Sequence, residues 1–130
     1  MFVPNHLHLL VKGYIKNPPK TETVLNKWFT DLVQVVGMKV VAGPTSVYVK
    51  DAGNEGITGT VTLATSHASI HIWDNQTPAL FQFDLYSCSD FIPTQVFSMP
   101  LSGDTEEFIE ETLDEKGHHT TKHITKGNGY

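Results

Sequence analysis

Five short β-rich runs separated by turn residues occupy the middle of this chain and restrict it to a sheet-based fold. The runs are residues 38–42, 45–50, 58–65, 68–73 and 79–86. Gly, Asn, Asp and Pro are concentrated between them, at residues 43–44, 51–56 and 74–78. Short strands joined by such turns pair with their neighbours in the chain, so we expect an antiparallel sheet.

Helices and further strands are predicted on both sides of these runs. Residues 6–15 are typical of a first strand. Thr21 or Thr23 can cap a helix that Gly37 ends. Its predicted apolar positions are Leu25, Trp28, Leu32 and Val35.

A second helix is predicted over residues 105–116, and residues 119–126 predict a last strand. Asp104 and Glu107 are the expected capping pair, and Gly117 is the expected stop. The apolar stripe of this helix consists of Phe108, Ile109 and Leu113.

The order strand, helix, several strands, helix, strand predicts an α+β fold. We expect a two-layer sandwich in which an antiparallel sheet carries two helices on one face. A length of 130 residues, 39% of them apolar, is typical of one domain, residues 1–130, with a single core.

Charge and composition exclude several classes of partner. The net charge is -5, and all nine basic residues are lysines, which argues against nucleic acid. No apolar run is long enough for a membrane span, and the first residues lack the pattern of a signal peptide. A single cysteine excludes an internal disulfide. We therefore expect a soluble cytoplasmic protein.

Residues 65–73, Thr-Ser-His-Ala-Ser-Ile-His-Ile-Trp, bring hydroxyl and imidazole groups to an expected tight turn. In a regular strand Ser66 and His71 would point to opposite faces of the sheet. Their cooperation therefore requires a turn or bulge near residues 66–68. Thr58, eight residues before Ser66, could supply a second hydroxyl to the same centre.

The only cysteine, Cys88, follows a strand with alternating character. Phe81, Phe83 and Leu85 alternate with polar residues, so one face of the strand is apolar. Continuing the alternation places Cys88 on the polar side, where a thiol can exchange protons.

The central segment closely resembles the self-cleavage segment of the small prokaryotic S-adenosylmethionine decarboxylases. Their motif reads approximately Glu-Ser-His-x-Ser-Ile-His-Thr-Trp-Pro-Glu. The matching positions here are Ser66, His67, Ser69, Ile70, His71 and Trp73. Residues 6–11 also resemble the opening strand of that family.

The resemblance implies that the chain cuts itself between Thr65 and Ser66 into a β chain, 1–65, and an α chain, 66–130. Ser66 becomes a covalent pyruvoyl group, which forms a Schiff base with the substrate amine. His71 is the processing histidine, Thr58 stands in the place of a processing serine, and Cys88 is the proton donor. No pyridoxal phosphate takes part.

The resemblance further implies a small-molecule substrate, S-adenosylmethionine, whose decarboxylated product is the aminopropyl donor of spermidine synthesis. It also implies a homodimer with active sites near the subunit interface.

The departures from the family concern positions that contact the substrate. Thr65 and Asn75 each replace a glutamate, and Ala52 replaces an aromatic residue that stacks on adenine. Asp74 could supply the lost carboxylate, and Tyr48 could replace the aromatic residue if the loop shifts.

Three interpretations follow from these departures. The substrate is still S-adenosylmethionine, held by a remodelled loop. Alternatively, the same pyruvoyl chemistry acts on another amino acid, such as ornithine or arginine. In the third interpretation Ser66 stays intact, and the chain is a non-catalytic binding or regulatory protein.

Histidines occur in groups, but their surroundings do not favour a metal centre. His6 and His8 lie two residues apart in the first predicted strand, without a cysteine pair or carboxylate at zinc-site spacing. His67 and His71 have a helical metal-site spacing within a β-rich segment. We expect no metal.

Overall fold

The structure of this chain, a computed structural model, describes residues 6–88, 95–96, 105–114 and 119–125. Within these residues it contains one helix, α1 (Glu22–Val36), and seven strands. The strands are β1 (Leu7–Ile15), β2 (Val40–Val49), β3 (Gly56–Leu63), β4 (Ser66–Trp73), β5 (Ala79–Ser87), β6 (Thr105–Asp114) and β7 (His119–Thr125).

All seven strands belong to one antiparallel sheet, in the order β2-β3-β4-β5-β1-β6-β7. Strands β2 to β5 are neighbours in both sequence and space, as expected for strands joined by short turns. The first strand then pairs beside β5 and receives β6 on its other side. The predicted α+β class is therefore confirmed.

The first helix begins and ends where the sequence predicts. The Thr21 side chain accepts a hydrogen bond from the backbone N–H of Val24, and Gly37 ends the helix with φ +71°. Its buried side chains are Leu25, Phe29, Leu32 and Val33.

The buried side of this helix differs partly from the predicted stripe. Trp28 is only half-buried and packs edge-on against Phe83, with ring centroids 5.4 Å apart. Val35 is 40% exposed. The buried face of α1 is therefore rotated from the predicted one. Phe29 and Val33, rather than Val35, are buried with Leu25 and Leu32.

The prediction of a second helix is wrong, because residues 105–114 form strand β6. Its backbone pairs with β1 on one side and with β7 on the other. Such pairing on both edges outweighs the local helical preference of this glutamate-rich segment. The predicted cap Asp104 and stop Gly117 lie outside the described residues. The last predicted strand is confirmed as β7.

The two runs predicted at residues 38–42 and 45–50 form one strand, β2. The register of β2 with β3 shifts around residues 42–45, which contain Gly43 and Pro44. Because β2 is an edge strand of the sheet, one of its sides has no neighbouring strand. Pro44, which has no N–H to donate, is therefore tolerated there.

The sheet has a helix face and an open face. The helix face packs against α1 and contributes the core residues Leu9, Ile57, Val61, Ala68, Ile70, Phe83 and Leu85. The open face carries exposed or half-buried residues, which include His8, Leu10, Thr58, His67, Ser69, His71, Gln82, Asp84 and Tyr86. Consecutive side chains of a strand therefore alternate between apolar and polar surroundings. No helix among the described residues is both long enough and apolar enough to cross a membrane.

Gly56 allows the start of β3 to lie against the end of β4. Its φ is +150°, and a Cβ there would lie 1.7 Å from the carbonyl oxygen of Ile72. Gly56→Ala is expected to lower the free energy of unfolding by about 3 kcal/mol, because backbone has to move and the φ is strained.

The control is Gly53→Ala, since Gly53 has φ +87° but open space around its Cα. This change is expected to lower the free energy of unfolding by about 1 kcal/mol, from backbone strain alone. Urea denaturation measures both values. Equal losses would contradict the close approach of β3 and β4.

Candidate active site

Strands β3 and β4 form a hairpin that places Ser66 directly after a two-residue loop. Leu63 pairs with Ser66, so Ala64 and Thr65 make the turn. The register then runs one-to-one to Gly56 and Trp73. The turn therefore precedes Ser66, and β4 is regular from its first residue.

Three of the predicted site residues meet at this turn, and we call Thr65, Ser66 and Cys88 the hairpin cluster. The Thr65 hydroxyl lies 2.6 Å from the Cys88 sulfur. The backbone N–H of Cys88 donates to the Ser66 hydroxyl at 3.4 Å. Ser66 is 9% exposed, and Cys88, just beyond the end of β5, is partly exposed.

Backbone strain is located at Thr65, the residue that precedes Ser66. Its φ is +60°, and it is the non-glycine residue with positive φ among those described. A β-branched side chain strongly disfavours this conformation, because its Cβ substituents crowd the backbone. The peptide bond on the acyl side of Ser66 therefore follows a strained residue in an exposed turn.

Thr58 and His71 meet elsewhere, at the opposite end of the hairpin, and we call them the distal pair. They face each other in the β3–β4 register, with the Thr58 hydroxyl 3.2 Å from Nδ1 of His71. His71 is exposed on the open face. An imidazole beside a hydroxyl is a suitable arrangement for moving a proton.

Within one chain the distal pair cannot reach the hairpin cluster. Ser66 points to the helix face and His71 to the open face. Five residues of regular strand also separate them by about 16 Å. The turn or bulge that their cooperation requires is not found between residues 66 and 68, because the turn falls one step earlier. One chain thus holds the predicted residues in two separate groups.

Tyr48 and Asp74 form a hydrogen-bonded pair beyond the end of β4. The Tyr48 hydroxyl lies 2.8 and 2.9 Å from the two carboxylate oxygens of Asp74. This hydrogen bond, with smaller contributions from burial and from nearby negative charge, raises the pKa of Tyr48 above its ordinary value of 10.0. The tyrosine therefore stays protonated and remains a donor at neutral pH.

Asp74→Asn is expected to shift the titration of Tyr48 to lower pH, because the acceptor loses its charge. The raised pKa means that the folded state holds this proton more tightly than the unfolded state. The contribution of the Tyr48–Asp74 hydrogen bond to the free energy of unfolding is therefore complete below about pH 10. It is lost as the pH rises through the pKa of Tyr48 in the folded state. Ultraviolet titration of tyrosinate measures the shift, and Tyr48→Phe identifies the signal. An unchanged titration in Asp74→Asn would contradict the assigned cause.

Asn75 lies in the same region and contacts Glu55, a carboxylate that is not among the predicted site residues. The Asn75 amide donates to Glu55 at 3.2 Å, and the backbone N–H of Gly53 donates to both Glu55 oxygens. Hydrogen bonds from the backbone N–H groups of Glu55 and Gly53 hold the pKa of Glu55 below 4.5. Ala52, the residue at the expected stacking position, is exposed in the neighbouring turn.

Glu55 could have been recognised from the sequence as an acidic side chain within a turn cluster, immediately before a strand. The turn residues at 51–56 predict only a separation between two strands. The signal was weak, because acidic residues in turns are usually solvated and have no specific partner.

A second unpredicted group lies in the middle of the open face, around Asp84. Its carboxylate accepts a hydrogen bond from Ser69 at 2.8 Å and lies 3.3 Å from Nε2 of His8. It also borders a cavity of about 340 Å³, whose lining includes Leu10, Lys12, Ser69, His71, Gln82 and Asp84. The cavity thus extends from the centre of the sheet to the distal pair.

The histidines of the open face contact an aromatic ring. His67 stacks on Tyr86 with centroids 5.5 Å apart, and His6 and His8 lie about as near to the same ring. Among the side chains that the structure describes, no three His, Cys, Asp or Glu residues are arranged to hold a metal ion. The sequence holds a further group of histidines at residues 118, 119 and 123, of which His118 lies outside the described residues.

Residues 7–103 match the family model described as S-adenosylmethionine decarboxylase. The match covers most of the chain and includes both the hairpin cluster and the distal pair. No curated protein matches the sequence.

Proposed function

This chain belongs to the S-adenosylmethionine decarboxylase family, and we propose that it cleaves itself between Thr65 and Ser66 and then decarboxylates S-adenosylmethionine. The observation that carries the proposal is the hairpin cluster. It combines a serine, a strained preceding residue and a thiol at one exposed turn.

The surroundings of Ser66 fit a pyruvoyl group formed from this residue. A pyruvoyl ketone supplies an electrophilic carbonyl that binds the substrate amine and accepts the electron pair left when CO2 departs. Ser66 is the first residue of β4, so cleavage before it leaves the β3–β4 ladder intact. Strain at Thr65 favours cleavage, because a cut chain relaxes the disfavoured φ.

In this proposal Cys88 returns a proton to the α-carbon of the decarboxylated product. Its sulfur lies at the turn, and its N–H is bonded to the Ser66 hydroxyl. The thiol gives its proton to carbon and afterwards recovers one from water, so the group is unchanged after each turnover.

The active site is completed by a second copy of the chain. Ser66 and His71 point to opposite faces of one sheet and lie about 16 Å apart, so one chain cannot bring them together. A processing base must come within hydrogen-bond reach of the proton it takes. A dimer in which the partner's His71 approaches the Thr65–Ser66 peptide meets this requirement.

Two-fold symmetry allows both sites of such a dimer to form at once. In a two-fold interface, contacts of residue i with residue j occur twice. A two-fold axis that brings the partner's His71 to one Thr65–Ser66 peptide brings this chain's His71 to the partner's peptide as well. The open face, with exposed Leu10 and Val47 among polar residues, is the side that carries the distal pair.

S-adenosylmethionine, which carries a positive sulfonium and a ribose, suits the acidic end of this composite site. Glu55 is held as a carboxylate next to Asn75, the position at which the related decarboxylases carry glutamate. Glu55 accepts from Gly53 and Asn75, Asp74 accepts from Tyr48, and each carboxylate keeps lone pairs that can accept the ribose hydroxyls. The departures around Asn75 therefore relocate a carboxylate rather than remove it.

Release of CO2 from carboxyl-labelled substrates tests the proposed activity. We expect release from S-adenosylmethionine and not from ornithine or arginine. Borohydride reduction in the presence of substrate is expected to attach the substrate to the fragment that begins at residue 66. Release from ornithine or arginine alone would instead assign the same chemistry to another amino acid. The absence of both reactions would favour a non-catalytic binding or regulatory protein.

A further inference from the structure

The indole of Trp73 lies on the open face, at the end of the hairpin that holds the distal pair. Trp73 follows His71 by two residues on β4, so both side chains point to the same side of the sheet, and their ring centroids lie 6.1 Å apart. The indole N–H donates to the Asn54 side chain at 3.3 Å. Because Trp73 is only half-buried, its ring is held in one orientation while part of its surface stays open.

The contact with Asn54 connects this ring to the Glu55 carboxylate. Asn54 immediately precedes Glu55 in the same turn. Asp74, the residue after Trp73, donates its backbone N–H to the carbonyl of Glu55 at 3.0 Å. The Glu55 side chain in turn accepts from the Asn75 amide at 3.2 Å. An aromatic ring and a carboxylate are therefore neighbours at this end of the sheet.

Tyr48, the other candidate for an aromatic contact, lies on the opposite side of the sheet. It pairs with the core residue Ile57 and packs against the core of the helix face. Residues paired directly across two antiparallel strands share one face of the sheet. The turn at residues 51–55 contains no aromatic residue. A planar ligand that lies on the open face next to this turn therefore meets the ring of Trp73 and not that of Tyr48.

From this placement we infer that the indole of Trp73 receives the adenine ring of the substrate, with Glu55 beside it to accept the ribose hydroxyls. Aromatic side chains bind nucleobases by stacking on their flat faces, and a carboxylate accepts hydrogen bonds from hydroxyl groups. The inference deepens the proposed function and rests on it for the identity of the substrate. In the dimer proposed above, the partner's Ser66 comes to this end of the hairpin, so one substrate molecule can reach both.

Binding of methylthioadenosine tests this inference, because this nucleoside lacks the amino-acid part of the substrate and has no aliphatic amine for a Schiff base. The probe therefore reports on the same subsite in cleaved and in uncleaved protein. We expect Trp73→Leu to weaken its binding by about tenfold in isothermal titration calorimetry, because the stacking surface is lost. Trp73→Phe keeps an aromatic face and should bind within about threefold of the natural sequence.

Tryptophan fluorescence gives a second readout that does not depend on the folding of Trp73→Leu. The chain has two tryptophans, Trp28 and Trp73. In a Trp28→Phe chain, saturating methylthioadenosine is expected to quench the emission of Trp73, because the base lies on its indole. The matched control is a Trp73→Phe chain, in which Trp28 packs against Phe83 on the helix face and should not respond.

Three results would overturn the inference. The first is that methylthioadenosine does not bind the natural sequence. The second is an affinity that Trp73→Leu leaves unchanged. The third is quenching that is equal in the two single-tryptophan chains or absent from both.

Failure of this inference and failure of the proposed function give different results. If the natural sequence is cleaved and releases CO2 from S-adenosylmethionine, but the Trp73 variants bind the probe normally, the inference fails and the proposed function stands. If the nucleoside quenches Trp73 but the natural sequence is never cleaved, the subsite stands and the proposed function fails.

Discussion

Co-expression of a Ser66→Ala chain with a His71→Ala chain is expected to produce cleavage of the His71→Ala chain only. Each variant alone is expected to lose at least about 100-fold in cleavage rate, because one lacks the nucleophile and the other the base. In a mixed dimer, the His71→Ala chain supplies Ser66 and its partner supplies His71. Random pairing of equal amounts places about half of the His71→Ala chains in such dimers.

Denaturing mass spectrometry distinguishes the two chains and their fragments. The control replaces the Ser66→Ala chain with a Ser66→Ala/His71→Ala double variant, which has no histidine to supply and should restore nothing. Cleavage that occurs in the natural sequence but in neither chain of the mixture would place the base within the same chain. It would contradict the separation of the hairpin cluster from the distal pair.

Replacing the thiol with a hydroxyl is expected to separate self-cleavage from decarboxylation. Cys88→Ser should still be cut between Thr65 and Ser66, because the residues proposed for that step are retained. Its decarboxylation rate should fall by about 100-fold or more, since a serine hydroxyl is a much weaker acid than a thiol. Fragment masses report the first step, and release of labelled CO2 reports the second.

Ser69→Ala is the control for this change, because Ser69 lies on the open face with Asp84 and has no part in the proposed chemistry. Its rate should remain within about threefold of the natural sequence. Full activity in Cys88→Ser would exclude the thiol as the proton donor. Loss of cleavage in Cys88→Ser would show that Cys88 acts before the decarboxylation step.

The alternation of polar and apolar residues predicted most of the sheet and the partition of its faces. Along β5 the residues Phe81, Phe83 and Leu85 are buried as expected. The same rule predicted that Ser66 and His71 would point apart, and they do. Strand periodicity is a local property, and local properties can be read from one sequence.

Long-range pairing was harder to predict, and residues 105–114 show why. Phe108, Ile109 and Leu113 have helical spacing, and the surrounding glutamates favour a helix. The unpaired edge of β1 decides against it, because β6 satisfies that edge and receives β7 in turn. The existence of that edge depends on β1 lying beside β5, about 70 residues away along the chain.

The candidate site was predicted as a set of residues but not as a geometry. The resemblance selected Thr58, Ser66, His71 and Cys88, and the structure divides them between two ends of one hairpin. The contacts of Glu55 and Asp84 join residues that lie about 15 to 76 positions apart in the chain, and one sequence does not show which distant segments meet. A site shared between two copies is likewise beyond what the periodicity of one chain can predict.

The mass of the freshly purified protein under denaturing conditions decides whether this chain cuts its own backbone between Thr65 and Ser66. We predict two fragments, residues 1–65 and 66–130, with the second beginning in a pyruvoyl group that no N-terminal amine reagent modifies. A single intact species of 14.4 kDa after long incubation would contradict it.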